Sequence, residues 1–448
     1  MAHGDEQSGH SGPEERVRQI AERASRHAQS GEHAAALALY NELLGIDPKH
    51  PEAINFVAIT TLQEGDARRS IALLEQGVAA HPADAMLQKN LGLAYRAGGA
   101  AEAALAAFGR AIQLRPDFVV AYLNRGALLM EVGRNEEAIG AYLQAFEAAE
   151  STGLFLNPAS IPPGVRVMAE KGMMLLREAR LAVFHAALVP VEREHGSAAL
   201  TRVWHCLHAY LGMEARVELP KLQHPTFMSF PDLAGRAWFN REDFPWMPEL
   251  ERHTPAIREE LLTVLGSDVG FRPFIQVPKA HPGAAYWSAL NDSPSWNAFF
   301  FYRDGERYMD NHGRCPATSA ALDAAPLIRI GEHSPETFFS VLKPGAHIPP
   351  HTGVVNIRLV CHLPLVVPPD CGIRVGDETR GWEEGKCIVF DDTFEHEAWN
   401  KSGQTRVVLI FDVWNPELTP AERDGMRAAI EALGRFSRSH GGKATSLA

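Results

Sequence analysis

Between residues 340 and 414 the chain concentrates side chains that can hold a metal and an organic acid. The stretch reads SVLKPGAHIPPHTGVVNIRLVCHLPL, then CGIRVGDETRGWEEGKCIVFDDTFEHEAWN, then TRVVLIFDVWNPEL. His351 and His396 lie 45 residues apart, each at the edge of a predicted strand. A histidine before one strand and a second several strands later is how a double-stranded β-helix brings two imidazoles to one metal. Imidazole and carboxylate ligands with open positions suit non-haem Fe(II). The usual third ligand is an Asp or Glu two residues after the first histidine; Gly353 stands there and cannot ligate. Asp392, four residues before His396, is the nearest candidate to hold a metal-bound water from outside the ligand set. Arg406, ten residues past His396, would point its guanidinium into the barrel and grip a carboxylate through two hydrogen bonds.

These side chains need a frame. Short β-rich runs at 298–302, 337–342, 354–365, 372–375, 387–390 and 406–413 are separated by turn signals such as LysProGly at 343–345. Strands of this length and spacing predict an antiparallel sandwich or barrel, here a jelly-roll or cupin-like double-stranded β-helix. A helix over 420–435 would close it. Asp391 reads as a turn former and His347 as an even balance of structural and site roles. Trp382, Trp399 and Trp414 read as barrel packing. Cys361, Cys371 and Cys387 lie in predicted strands and read as buried, inert thiols.

Taken together, HTG at 351–353, NxRLxxHL at 356–363, WEEGK at 382–386, FDDxFEHEAW at 390–399 and DVWxPEL at 412–418 resemble the aspartyl/asparaginyl β-hydroxylases over residues 220–420. These are Fe(II)- and 2-oxoglutarate-dependent oxygenases. The resemblance implies that His351 and His396 bind iron and that a missing carboxylate ligand is normal. It implies that Arg406 and Ser340 hold the distal carboxylate of 2-oxoglutarate and that His362 contacts this cosubstrate near the metal. It further implies consumption of O2 and hydroxylation of the β-carbon of an Asp or Asn in a peptide or protein. Three positions depart from the animal members: Val360 replaces an Arg, Phe338 replaces a basic residue, and Cys315 alone remains of a disulfide-forming pair. Arg358 is the candidate replacement for the missing Arg; two positions away on a strand, it faces the same side and starts about 6–7 Å off.

Upstream, the chain repeats. Gly31, Gly65, Gly99 and Gly133 recur every 34 residues, as do Pro48, Pro82 and Pro116. Five residues after each glycine stands a small residue (Ala36, Ser70, Ala104, Ala138), and nine after it a bulky one (Tyr40, Leu74, Phe108, Tyr142). The glycine ends a first helix at positive φ, the small residue admits a second helix closely, the bulky one fills the gap between repeats, and the proline stops the second helix. The pattern is similar to the tetratricopeptide family, whose arrays stack into an α-α superhelix with a concave groove for a peptide or protein partner.

The layout expected is a disordered end at 1–14, repeats at 15–150, a helical connector at 151–216, the oxygenase domain at 217–435 and a disordered tail at 436–448. Within the connector, 151–163 reads as a linker, followed by one long helix and a second around 197–211. The 448 residues carry 43 Lys and Arg against 55 Asp and Glu, a net charge of −12. That balance argues against nucleic-acid partners and anionic membrane surfaces. A polar N-terminus without an apolar core, no long apolar run and five scattered cysteines point to a cytoplasmic protein with reduced thiols. Two rival readings stand beside the peptide hydroxylase. One is the same chemistry on a free or carrier-bound small molecule, motivated by Phe338. The other is a non-catalytic repeat scaffold bearing a degenerate oxygenase fold. The oligomeric state is left open.

Overall fold

The computed structural model describes residues 13–154, 161–267, 269–278 and 282–442. The chain divides into two compact units, Met1–Leu176 and Arg177–Ala448. The first contains four helix pairs: α1 (Pro13–Gln29) with α2 (His33–Ile46), α3 (Pro51–Gln63) with α4 (Ala67–Ala80), α5 (Ala85–Ala97) with α6 (Ala101–Leu114), and α7 (Val119–Glu131) with α8 (Asn135–Thr152). The four periodic glycines all take positive φ, between 76° and 91°, in the turns inside each pair. The small and bulky columns are fully buried, and each periodic proline falls two residues after α2, α4 and α6. These are tetratricopeptide-like repeats.

α9 (Pro163–His195) begins in the first unit and ends in the second, followed by α10 (Thr201–Tyr210). Part of the expected linker, 155–160, lies outside the described residues, as do 1–12 and 443–448 of the two ends expected to be disordered. α1 starts at Pro13, inside the first of those ends. At the other, the closing helix does not stop at 435. It runs to Ser439 because Phe436 and Ser437 are buried and hold the last turn in place.

The second unit is built on antiparallel strands: β1 (Trp238–Phe239), β2 (Arg272–Pro273), β3 (Trp296–Arg303), β4 (Glu306–Arg307), β5 (Thr337–Leu342), β6 (His347–His351), β7 (Arg358–Val366), β8 (Cys371–Val375), β9 (Glu378–Arg380), β10 (Ile388–Phe390), β11 (His396–Asn400) and β12 (Arg406–Trp414). They form a large sheet in the order β1-β10-β7-β12-β5-β3-β2, with β4 on β3, and a small sheet β6-β11-β8-β9. The outer face of the large sheet (Phe299, Phe339, Leu363, Leu409, Phe411) packs against α11 (Met247–Arg252), α12 (Thr254–Ser267) and α14 (Pro316–Ala324), which follows the short α13 (Met309–Arg314). Its inner face packs Trp296, Val360 and Phe390 against Ile348, Ile373 and Ala398 of the small sheet. α15 (Pro420–Ser439) opens with a Thr419–Glu422 capping box. No described helix is long and apolar enough to cross a membrane.

Close helix approach in the repeats is testable at Gly92, where a Cβ would stand 2.5 Å from the buried Phe108 ring. Gly92→Ala is expected to overpack this contact by about 1–3 kcal/mol, seen as a lower melting temperature by far-UV circular dichroism. An unchanged melting temperature would show that the ring can turn aside freely.

Candidate active site

A cavity of about 350 Å³ opens between the two sheets. Its floor is the inner face of the large sheet, and the alternation of side chains along each strand sets three lanes on it. β5 with the residue before it presents Ser340, Phe338 and Glu336; β12 presents Arg406, Ile410 and Asp412; β7 presents His362, Val360 and Arg358. Each lane runs from a polar end through an apolar residue to a charged end.

His351 and His396 stand on the opposite sheet as a directly paired cross-strand couple, the last residue of β6 facing the first of β11. Their ring centroids are 4.1 Å apart. His351 Nδ1 lies 2.8 Å from the Pro349 carbonyl and His396 Nδ1 lies 3.0 Å from the Phe394 carbonyl. A carbonyl only accepts, so both Nδ1 atoms carry the proton and both Nε2 lone pairs are free. Burial, reinforced for His351 by its neighbour His396, lowers the pKa of His351 to about 3 and that of His396 to about 4, so both rings are neutral near pH 7. Two neutral imidazoles with free Nε2 atoms fit a divalent transition metal. Among the described residues no group of three His, Cys, Asp or Glu gathers as a metal site. At Gly353 a Cβ would stand 2.3 Å from the Asp392 carboxyl carbon, so Asp392 fills the space a third ligand's side chain would need. Asp392 Oδ1 is buried without a hydrogen-bond partner.

At one end of the lanes lies Arg406, 1% exposed, its Nη1 donating to Ser340 Oγ at 3.3 Å. It makes no ion pair within 4.0 Å with a described carboxylate, and its Nε has no partner. Its guanidinium lies 4.6 Å from the Trp382 ring centroid. Burial lowers its pKa to about 10, which leaves it charged at neutral pH. Ser340 Oγ also accepts from Trp296 Nε1 at 3.1 Å, so the hydroxyl proton is free to donate to a ligand. His362, kept neutral by burial and by the nearby Arg406 charge, accepts from Trp382 Nε1 at 3.3 Å through Nδ1. An indole N–H only donates, so the His362 proton sits on Nε2, the tautomer opposite to that of the histidine pair.

The other end is crowded with charge. Arg358 donates to Asp392 at 2.6 Å and to Asp412 at 3.3 Å. Burial opposes its charge, but the two carboxylates outweigh that and raise its pKa. Asp412 also accepts the backbone N–H of Glu336 at 2.9 Å, and the Asp304 N–H donates to Glu336 Oε2 at 3.1 Å. Glu336 Oε1, buried, has no partner. Burial is the first cause that raises the Glu336 pKa, to about 8, with the Asp412 and Asp304 charges adding to it.

The structure thus brings together His351, His396, Asp392, Ser340, His362, Arg406 and Arg358, all singled out from sequence, around one cavity. Arg358 is committed to two carboxylates. His347 lies outside, paired with Glu397 at 2.7 Å. Asp391 caps its own turn through Thr393 and Gln223. Trp382 is part of the site as well as packing. Cys361 and Cys387 are buried, whereas Cys371 is only half-buried and contacts Asn400. Sequence reasoning missed Glu336, Asp412, Trp296 and Trp287. Period-2 alternation from Ser340 back to Glu336 is the signal that could have found the first.

Trp382 and Glu336 can each be tested. Trp382→Phe keeps a ring beneath Arg406 but removes the indole N–H, so His362 loses its fixed tautomer; the imidazole 15N shifts are expected to move from a single protonated nitrogen to a mixture of both tautomers. Glu336 is protonated in the folded chain up to about pH 8 but only to about 4.5 when unfolded. Its stabilising contribution is therefore complete below pH 4.5 and lost as pH rises to 8. Against Glu336→Gln, the wild type should lose relative melting temperature across that window; a pH-independent difference would show an ordinary carboxylate.

Comparison with known proteins places this geometry. Residues 251–416 match the aspartyl/asparaginyl β-hydroxylase family model, and 27–91, 92–133 and 119–152 match tetratricopeptide repeat models. The human aspartyl/asparaginyl β-hydroxylase is 34% identical over 200 residues, covering 44% of this chain and 25% of that protein. Its mouse counterpart is 27% identical over 368 residues, covering 81% of this chain and 44% of that protein. The chain thus spans less than half the length of either. An ornithine lipid ester-linked acyl 2-hydroxylase of Rhizobium tropici is 34% identical over 197 residues, covering 43% of this chain and 66% of that protein. Among solved structures, MamA matches 31% of this chain and 81% of its own at 21% identity and a TM-score of 0.29. The histidine pair and Arg406 therefore lie in the stretch that matches the aspartyl/asparaginyl β-hydroxylase family model, preceded in this chain by stretches that match tetratricopeptide repeat models.

Proposed function

We propose that the second unit is a double-stranded β-helix acting as an Fe(II)- and 2-oxoglutarate-dependent hydroxylase. The observation that carries this reading is Arg406, a buried guanidinium with a hydroxyl and an indole beside it but no carboxylate. An uncompensated interior cation costs several kcal/mol, and a dicarboxylate ligand would remove that cost. His351 and His396 would hold the metal through Nε2, and Asp392 Oδ1 would accept a hydrogen bond from a metal-bound water. Ser340 and Arg406 would orient the distal carboxylate, and His362 would donate from Nε2 to the cosubstrate. Iron with 2-oxoglutarate and O2, when bound, supplies the oxidising power to place a hydroxyl group on an unactivated carbon. Phe338, Ile410 and Val360 keep water from the floor between the two polar ends.

The relatives named aspartyl/asparaginyl β-hydroxylase support the β-carbon of an Asp or Asn in a peptide or protein as the position attacked. The repeats support a protein partner, as substrate platform or otherwise. A second reading, hydroxylation of an acyl chain or other small molecule, is favoured by the apolar middle of the floor and by the R. tropici relative.

The test is succinate formation from 2-oxoglutarate, with and without Fe(II), beside His396→Ala and Arg406→Met. Iron-dependent succinate should vanish in His396→Ala. Arg406→Met should weaken 2-oxoglutarate binding about a hundredfold or more, the cost of unpairing a buried charge. Anaerobic 2-oxoglutarate binding that ignores Arg406, or no binding at all, would favour a non-catalytic scaffold.

A further inference from the structure

Charges on the cavity wall limit what can react beside the histidine pair. At the end remote from Arg406, one guanidinium faces two carboxylates: Arg358 is held by Asp392 and Asp412 at 2.6 and 3.3 Å. Its Nη1 and Nη2 are taken by those carboxylates, its Nε is buried without a partner, and the three groups together carry a net negative charge. The other cation lining the cavity, Arg406, lies on β12 six positions before Asp412, roughly 20 Å along the strand. Between them the floor is Phe338, Ile410 and Val360, and Phe338 stacks on Phe274 at 4.9 Å. An ionised carboxylate entering this end would meet two like charges and one guanidinium that is already ion-paired with both of them.

One polar group is left over there. Glu336 is 5% exposed and lines the cavity. Its Oε2 is used by the Asp304 N–H, while its Oε1 is buried and unpartnered. A lone buried oxygen of this kind is costly unless a ligand completes it. With its own N–H on Asp412 and the Asp304 N–H on its Oε2, Glu336 sits beside two carboxylates that oppose its ionisation, so the acid form is the one the site stabilises, with its O–H available to donate.

Resting on the hydroxylase reading above, we propose that Glu336 is a specificity-determining residue. It donates a hydrogen bond to the carbonyl oxygen of an uncharged amide or ester substrate and, with Asp392 and Asp412, rejects an ionised carboxylate at the same place. The shared chemistry is a neutral carbonyl next to an apolar chain. An Asn side chain and an amide- or ester-linked acyl chain both carry it; an Asp side chain does not. Glu336 makes this donor because Phe338 on its own lane and Ile410 and Val360 on the other two offer none.

Matched probes test the proposal without requiring turnover. The full chain, loaded anaerobically with Fe(II) and 2-oxoglutarate, is titrated at pH 7 with hexanamide and hexanoate, and with acetyl-Asn-methylamide and acetyl-Asp-methylamide. Quenching of the cavity tryptophans Trp287 and Trp296 reports binding. The neutral member of at least one pair should bind about tenfold more tightly than its acid, the worth of one hydrogen bond that is not made. The pair showing the larger preference identifies the source. Glu336→Gln, neutral and still a donor, should keep the preference; Glu336→Ala should reduce it to about twofold. Acids binding as well as amides, a preference unchanged in Glu336→Ala, or no amide binding up to about 20 mM would each overturn it. The visible charge-transfer band of the iron–2-oxoglutarate chelate is read on the same samples. If the band is absent while the amide preference persists, the hydroxylase reading fails and the role of Glu336 stands. If the band is present without the preference, the hydroxylase reading stands and the role of Glu336 fails.

Discussion

A guanidinium in a protein interior must be compensated, and in this fold two of them, on the neighbouring strands β7 and β12, are compensated unequally at opposite ends of one sheet face. Arg358 takes Asp392 and Asp412; Arg406 takes a serine hydroxyl, the face of Trp382 and no carboxylate. The unequal division depends on register. β12 is paired on both sides, with β5 and with β7, so Arg406 and Asp412 are fixed on the same face at opposite ends. A slip of one residue would turn both outward and bury Val407 and Phe411 toward the cavity instead. The hydrophobic residues of the outer face, which pack on α11, α12 and α14, are what prevent that slip. The charge asymmetry of the site is thus maintained by apolar packing on the far side of the sheet.

Local hydrogen-bond partners on the two facing sheets explain how a small cavity can keep different proton positions on its three histidines. Pro349 and Phe394 carbonyls hold protons on Nδ1 of the paired rings, whereas an indole N–H forces the His362 proton to Nε2. None of these choices requires a charged partner, so the imidazoles stay neutral and the charges are left to the arginines and carboxylates. The division lets a lone-pair site and a donor site share one enclosure.

Much of this was legible in the sequence, and the parts that were not have physical reasons. The repeats could be read because four residue types recur at one spacing, and each does a separate job in a helix pair. The long apolar strands β5, β7 and β12 could be read from composition. The two strands that carry the paired histidines could not. β6 reads HIPPH, and two prolines suggest a turn; they are tolerated because β6 is the edge of its sheet. β11 begins in the polar run DDTFEHE and shows no alternation until it is paired. Strands of two or three residues, such as β1, β4 and β9, fall below any periodic signal. The pairing of Arg358 with Asp412 joins positions 54 apart, and only the β7–β12 register reveals it.

The prolines of β6 have a consequence for how a polypeptide can approach the site. An edge strand ordinarily offers a ladder of N–H and C=O groups on which another extended chain can form a further strand. Here Pro349 and Pro350 have no N–H. The Pro349 carbonyl is taken by His351, and the Pro350 carbonyl accepts from the Tyr286 hydroxyl. The rim beside the histidine pair therefore cannot serve as a template at those two positions. A peptide bound at this cavity would find no strand partner at those two positions, so its backbone there would have to be held by some other surface.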